Sequence, residues 1–179
     1  MSRIGKQIIR IPSGVSIKLT DERINVKGPK GESQRSIPSC LSIVEKNDNS
    51  LQILRKDESI SSREMHGLFR SLVSNMVIGT SNGFTKILEL KGVGYKANID
   101  KKALNLAVGF SHPVRIEAPP GIELSVENNT TIKISGIDKE KVGLISQQIR
   151  SIKPPEPYKG KGILYKGEVI QLKVGKSSK

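Results

Sequence analysis

The sequence predicts an α+β protein of two tandem, similar domains, each an antiparallel sheet packed with one long helix. Three observations lead there. Short segments that alternate apolar and polar residues recur through the 179-residue chain, the period of half-buried strands. Two longer segments carry apolar residues at three- and four-residue steps, the period of an amphipathic helix. The order of these segments agrees in the two halves, with corresponding elements roughly 76–81 residues apart.

In the first half, VSIKL (15–19) and RINVKG (23–28) alternate with period two around the turn-like Thr20-Asp21-Glu22. GPKGE (28–32) reads as a hairpin turn into SQRSI (33–37), and LQIL (51–54) as another strand. Ser61 and Glu64 then form an S-x-x-E capping box, which opens helices because it satisfies two end-of-helix N–H groups. Met65, Leu68, Phe69, Leu72, Val73, Met76 and Val77 share one face of the helix that follows. That stripe is read as core, with Gly79 as the stop.

The second half repeats the plan. TKILEL (85–90), KANI (96–99), ALNLAVG (103–109), PVRIEA (113–118) and TIKISG (131–136) are strands, with Asp100-Lys101-Lys102 as a turn. Asp138 caps a helix in which Val142, Ile145, Ile149 and Ile152 share a face, and Pro154-Pro155 end it. PVRIEA matches SQRSI, and TIKISG matches LQIL; Asn25 falls opposite Asn105 in this alignment, and Arg35 opposite Arg115. The turn-rich Ser81-Asn82-Gly83 marks the boundary, giving domains 1–82 and 83–179.

Composition narrows the function. The chain is 35% hydrophobic but has no Trp and only three Phe and three Tyr, so its cores must be built from Ile, Leu and Val. A formal net charge of +13 points to a polyanionic partner, nucleic acid or an anionic membrane surface. Membrane is the weaker choice, because no apolar run approaches the roughly 18 residues of a spanning helix. MSRIGKQIIRIP at the start lacks an apolar stretch of signal-peptide length, so an intracellular protein is expected. Cys40 is the sole cysteine, which excludes an intramolecular disulfide and a Cys-based zinc site.

The charge is unevenly placed. Residues 150–179 hold eight basic and two acidic side chains, whereas residues 83–149 are close to neutral at about +2. Such asymmetry reads as a binding face. Its centre is KPPEPYKGKGILYKGE (153–168), where four lysines stand among three glycines, three prolines and two tyrosines. Proline obstructs both helix and sheet ladder, so this stretch is expected to be a loop. Lysine on a glycine-rich backbone suits phosphate, and tyrosine offers a stacking face. Arg150, Lys153, Lys166, Lys173 and Lys176 join the lysines of the motif as candidate RNA contacts.

Other motifs carry less. Gly92-Val93-Gly94-Tyr95-Lys96-Ala97 has the spacing of a GxGxxA nucleotide fingerprint, but that motif needs a helix directly after it. KANIDKKALNLAVG has strand–turn–strand character instead. The segment is read as a tight turn that leaves Lys91 and Lys96 available to phosphate. No GxxxxGK[ST] loop is present. His66, just off the apolar stripe, and His112, before Pro113, lack metal-spaced partners and are read as structural or surface groups. Cys40 is read as a small buried residue. Glu22 and Asp57-Glu58 have no acid/base partner. No catalytic constellation emerges, and no enzyme activity, cofactor, metal or small-molecule substrate is expected.

PPEPYKGKGI (154–163) resembles the C-terminal signature of the bacterial-type ribosomal large-subunit protein six family. SRIGK (2–6), VKGPKGE (26–32), HGLFRSLVSNMV (66–77), LKGVGYKA (90–97) and VGFSHPV (108–114) agree with it along nearly the whole chain. The resemblance implies two duplicated α+β domains and a structural role in the large ribosomal subunit. It implies binding to large-subunit rRNA, mainly through the C-terminal domain, near the sarcin–ricin loop and the stalk base, beside neighbouring ribosomal proteins. By the matched motif it makes Tyr158, Lys159, Gly160, Lys161 and Gly162 the leading RNA contacts. The tail, ILYKGEVIQLKVGKSSK (163–179), is poorer in arginine than the family pattern. Frequent Ile, Lys, Asn and Ser suggest an AT-rich genome, so a ribosome in bacterial cytoplasm or plastid stroma is expected. The rival reading is a free RNA-binding chaperone or translational regulator, which would not co-sediment with ribosomes in moderate salt. An RNA-modifying or nucleotide-using enzyme would need the cofactor pocket that the fingerprint fails to supply.

Overall fold

In the computed structural model, which describes residues 3–20, 22–46, 49–101 and 103–176, the chain divides into two units, residues 1–83 and 84–179. The first contains β1 (Ile9–Arg10), β2 (Ser16–Leu19), β3 (Arg23–Gly28), β4 (Gly31–Ser36), β5 (Leu41–Lys46), β6 (Ser50–Arg55) and α1 (Ile60–Ser81). One antiparallel sheet has the order β2-β3-β4 and the other β1-β6-β5. Thr20 and Arg23 exchange backbone hydrogen bonds to close the β2–β3 turn; Asp21 of that expected turn lies outside the described residues. Ile24, Val26, Leu41, Leu51 and Ile53 from the sheets pack on Phe69, Val73, Met76 and Val77 of α1.

The helix departs from its sequence reading at both ends. Its cap is Ser59, whose Oγ accepts from the Ser62 N–H at 3.3 Å, so Ser61 and Glu64 do not form the capping box. Gly79 lies inside the helix and is buried. The stop comes at Asn82 and Gly83, whose N–H groups both donate to the Ile78 carbonyl, with Gly83 at φ +74°. The left-handed residue, rather than the first glycine met, ends the helix. The buried face is also rotated: Leu68 is 53% exposed and Leu72 half-buried, while Ser62 and His66 are buried.

The second unit contains β7 (Phe84–Lys91), β8 (Lys96–Asp100), β9 (Ala103–Ala107), β10 (Val114–Glu117), β11 (Ile122–Glu127), β12 (Thr131–Gly136), α2 (Lys139–Ile152) and β13 (Gly162–Tyr165). Lys102 of the expected β8–β9 turn lies outside the described residues. The sheets are β8-β9-β10 and β11-β12-β7-β13. Leu88, Leu104, Leu106, Ile132, Ile134 and Ile163 meet Val142, Ile145 and Ile149 of α2 in the core. Asp138 caps α2 as expected, its Oδ1 accepting from the Glu140 N–H at 2.9 Å.

The two units repeat one topology: β1 to β6 with α1 correspond in order to β7 to β12 with α2. The register shifts one residue match. Asn25 pairs with Gln34 and Asn105 with Arg115, so Arg115 corresponds to Gln34, and Arg35 lies opposite Ile24. β1, β5, β11 and β13 were not expected from sequence. β13 corrects the reading of residues 153–168 as loop throughout. Its Ile163 and Leu164 are both buried, and that apolar pair brings the strand onto the edge of β7 despite the glycines around it.

Candidate nucleic-acid interface

The basic stretch begins where α2 ends. Lys153 leaves helical geometry at φ −142°, ψ 81°, as expected of a residue before proline. Its carbonyl accepts from the Ile163 N–H at 2.8 Å, closing residues 153–163 at their base. Inside the loop, the Glu156 N–H donates to the Lys161 carbonyl at 2.9 Å and the Gly160 N–H to the Glu156 carbonyl at 3.1 Å. Gly160 needs its positive φ of +67° to make this turn. Gly162 is needed for a different reason: a Cβ there would lie 2.6 Å from Pro155 Cα and 2.8 Å from the Pro154 carbonyl oxygen. Its candidate role at the RNA is therefore backbone packing, since the residue itself is buried.

The loop is thus held by its own backbone, and its side chains are left outside. Lys159 and Lys161 are exposed, and Tyr158 is 57% exposed between Pro157 and Lys159. The β13–β7 register places Lys91 across from Gly162. Lys91, Lys159 and Gly160 line a shallow depression of about 330 Å³ with Leu164, Ile170 and Leu172. The tail returns to this site, because the Lys173 N–H donates to the Pro157 carbonyl at 2.7 Å. Lys166, Lys173 and Lys176 are exposed.

One of the expected RNA contacts, Arg150, is paired within the protein. Arg150 donates through Nη2 to Glu168 Oε1 at 2.6 Å and through Nε to Oε2 at 3.3 Å. Its guanidinium also stands 5.7 Å from the Tyr165 ring centroid. The hydrogen bond from Arg150, then that from the Tyr165 N–H, hold the Glu168 carboxyl below the usual carboxylate range, while the carboxylate raises Arg150. This pair ties the end of β13 to α2. Lys153 places Nζ 5.1 Å from the Phe110 ring centroid. Lys86 stands over Tyr165 at 4.8 Å. Sequence reasoning missed Glu168 and Phe110, since neither has a local spacing signal.

Lys96 is exposed at the start of β8, after a turn closed by the Tyr95 N–H to the Gly92 carbonyl at 3.4 Å. A strand follows the GVGYKA segment where a nucleotide fingerprint would need a helix. A Cβ on Gly92 would lie 2.8 Å from the Tyr95 ring, so that glycine makes room for the tyrosine. His66 is buried, its Nε2 2.9 Å from the Ile53 carbonyl. His112 is exposed in the β9–β10 loop. Among the described residues no His, Cys, Asp or Glu cluster is arranged to hold a metal, and no helix is long and apolar enough to cross a membrane.

These features define a duplicated α+β protein whose second unit carries a backbone-tied loop with exposed lysines. The family model described as Ribosomal protein L6 matches residues 11–83 and again 91–166. The chain belongs to that family. It is 54% identical to the large ribosomal subunit protein uL6c of Cyanophora paradoxa over all of this chain and 99% of the relative. Identity to uL6 of Gloeothece citriformis is 53%, again over 100% and 99%. For uL6 of Staphylococcus epidermidis it is 49% over the whole of both chains.

Proposed function

We infer that this chain is a structural, non-enzymatic component of the large ribosomal subunit, in the ribosomes of a bacterium or a plastid. Its family and full-length relatives in both kinds of source support that reading. At finer scale, we propose that residues 84–179 carry most of its affinity for large-subunit rRNA, near the sarcin–ricin loop and the stalk base. The observation that carries this is the loop at residues 154–162. Its backbone is tied internally, while Tyr158, Lys159 and Lys161 are exposed. A loop already ordered loses little conformational entropy on binding, and lysines held at fixed places neutralise phosphates with little reorganisation. Lys91, Lys96, Lys166, Lys173 and Lys176 extend the cationic set.

The test is a double substitution, Lys159→Ala with Lys161→Ala. Binding to large-subunit rRNA should weaken, and each lost phosphate contact should lower the slope of log K against log salt by roughly 0.7–0.9. The fold should persist, because neither side chain is buried. An unaltered salt slope together with normal assembly into large subunits would remove the loop from the interface.

A further inference from the structure

Within the loop between β9 and β10, residues 109–113 are all exposed, and the cationic loop leaves them without a role. They include Phe110, which remains 45% exposed. A phenyl ring has no polar tip to satisfy in water. Gly109 turns the chain into Phe110 at φ +80°, and Lys153 holds its ammonium 5.1 Å from the ring centroid. The Lys153 carbonyl in turn closes the base of the 154–162 loop through Ile163. The aromatic ring is therefore joined, through one lysine, to the phosphate-binding loop.

We propose that Phe110 is a stacking platform for an unpaired nucleobase, with Lys153 neutralising the phosphate next to it. This rests on the reading that the second unit binds rRNA. RNA fits this surface better than a protein neighbour does. A flat ring stacks on any base, and an ammonium beside it is favoured by phosphate, whereas burial in an apolar protein interface would cost its hydration. Ser111 and His112, next in the chain, are also exposed.

The chain has no tryptophan, so Phe110→Trp in the full-length protein places one indole at the platform. Titration with large-subunit rRNA should quench its emission saturably, in step with binding followed on labelled RNA. Phe110→Leu and Phe110→Ala, which keep the charges but cannot stack, should bind about 5- to 150-fold more weakly with an unchanged salt slope. Their melting temperatures identify any loss caused by misfolding, and Phe110→Trp reports stacking independently of them. Indole emission unmoved while RNA binds, or wild-type affinity in Phe110→Leu, overturns the proposal. Lost assembly into large subunits with RNA affinity intact also overturns it, assigning the ring to a protein neighbour. Failure of the unsubstituted protein to bind rRNA overturns the underlying reading and the platform together. That outcome is distinct from selective failure at Phe110.

Discussion

Glycine 162 concentrates several constraints at one residue. It pairs across from Lys91 at the start of β13, takes φ +147°, and lies against the Pro154–Pro155 backbone. The obstructing atoms are backbone, so a methyl group cannot be accommodated by turning a flexible side chain aside. Gly162→Ala should lower stability by roughly 1–3 kcal/mol and weaken RNA binding by displacing Lys159 and Lys161. At Gly160 a Cβ would meet only Leu172 Cδ2, at 3.6 Å, so Gly160→Ala should cost the left-handed backbone penalty alone, about 1–2 kcal/mol. Urea denaturation of the two variants compares them, and equal losses would refute the packing role of Gly162. The sequence marked both glycines as loop residues. It could not show that one serves a turn and the other a close approach, because the approaching prolines are placed by the end of α2.

At the scale of elements, α1 shows how far a hydrophobic period can be read. Phe69, Val73, Met76 and Val77 are in the core as the spacing predicts, but Leu68 and Leu72 lie toward its margin. Phe69→Ala should cost about 3–5 kcal/mol, and Leu68→Ala should stay within roughly 0.5 kcal/mol of wild type. Chemical denaturation of both variants checks the helix rotation; comparable losses would contradict it. The seam between α2 and β13 gives a pH prediction. Arg150 and the Tyr165 N–H lower the Glu168 carboxyl, so the native state favours its ionised form. That contribution is complete above the ordinary carboxylate range and is lost as pH falls through the lowered native value. Arg150 stays charged throughout. Glu168→Gln should therefore show a shallower acid limb in melting temperature against pH; an unchanged limb would mean the pair contributes nothing.

On the scale of the whole molecule, the two units have the same topology but different surroundings for their first strands. Among the described residues, β1 is two residues long and pairs only with β6, whereas β7 is eight residues long and lies between β12 and β13. The added strand covers the β7 edge, which would otherwise offer unpaired backbone groups to other chains. It also brings the basic loop beside Lys91. We expect a fragment of residues 84–179 to bind large-subunit rRNA more tightly than one of residues 1–83. Each has its own hydrophobic core, and titration of the two against the same RNA decides it. Equal or tighter binding by the first fragment would place the main interface elsewhere.

The doubled α+β plan, most strands, both helices and the basic C-terminal stretch were legible because they rest on local signals: period, turn chemistry and composition. β1 and β13 escaped because their partners, β6 and β7, are distant in sequence. β5 and β11 pair with the strands that follow them, but exposed Val44 blurs the alternation of β5, and the apolar residues of β11 after Ile122 are only half-buried. Leu164 of β13, for example, is buried and lines a depression with Ile170 and Leu172, which lie in a stretch without helix or strand. The pairing of Arg150 with Glu168, eighteen residues away, escaped because it depends on contacts distant in sequence. Sequence determined which residues are charged, apolar or conformationally free. Only the tertiary structure decided which charges find partners inside the protein and which remain exposed, because that depends on which segments pack side by side.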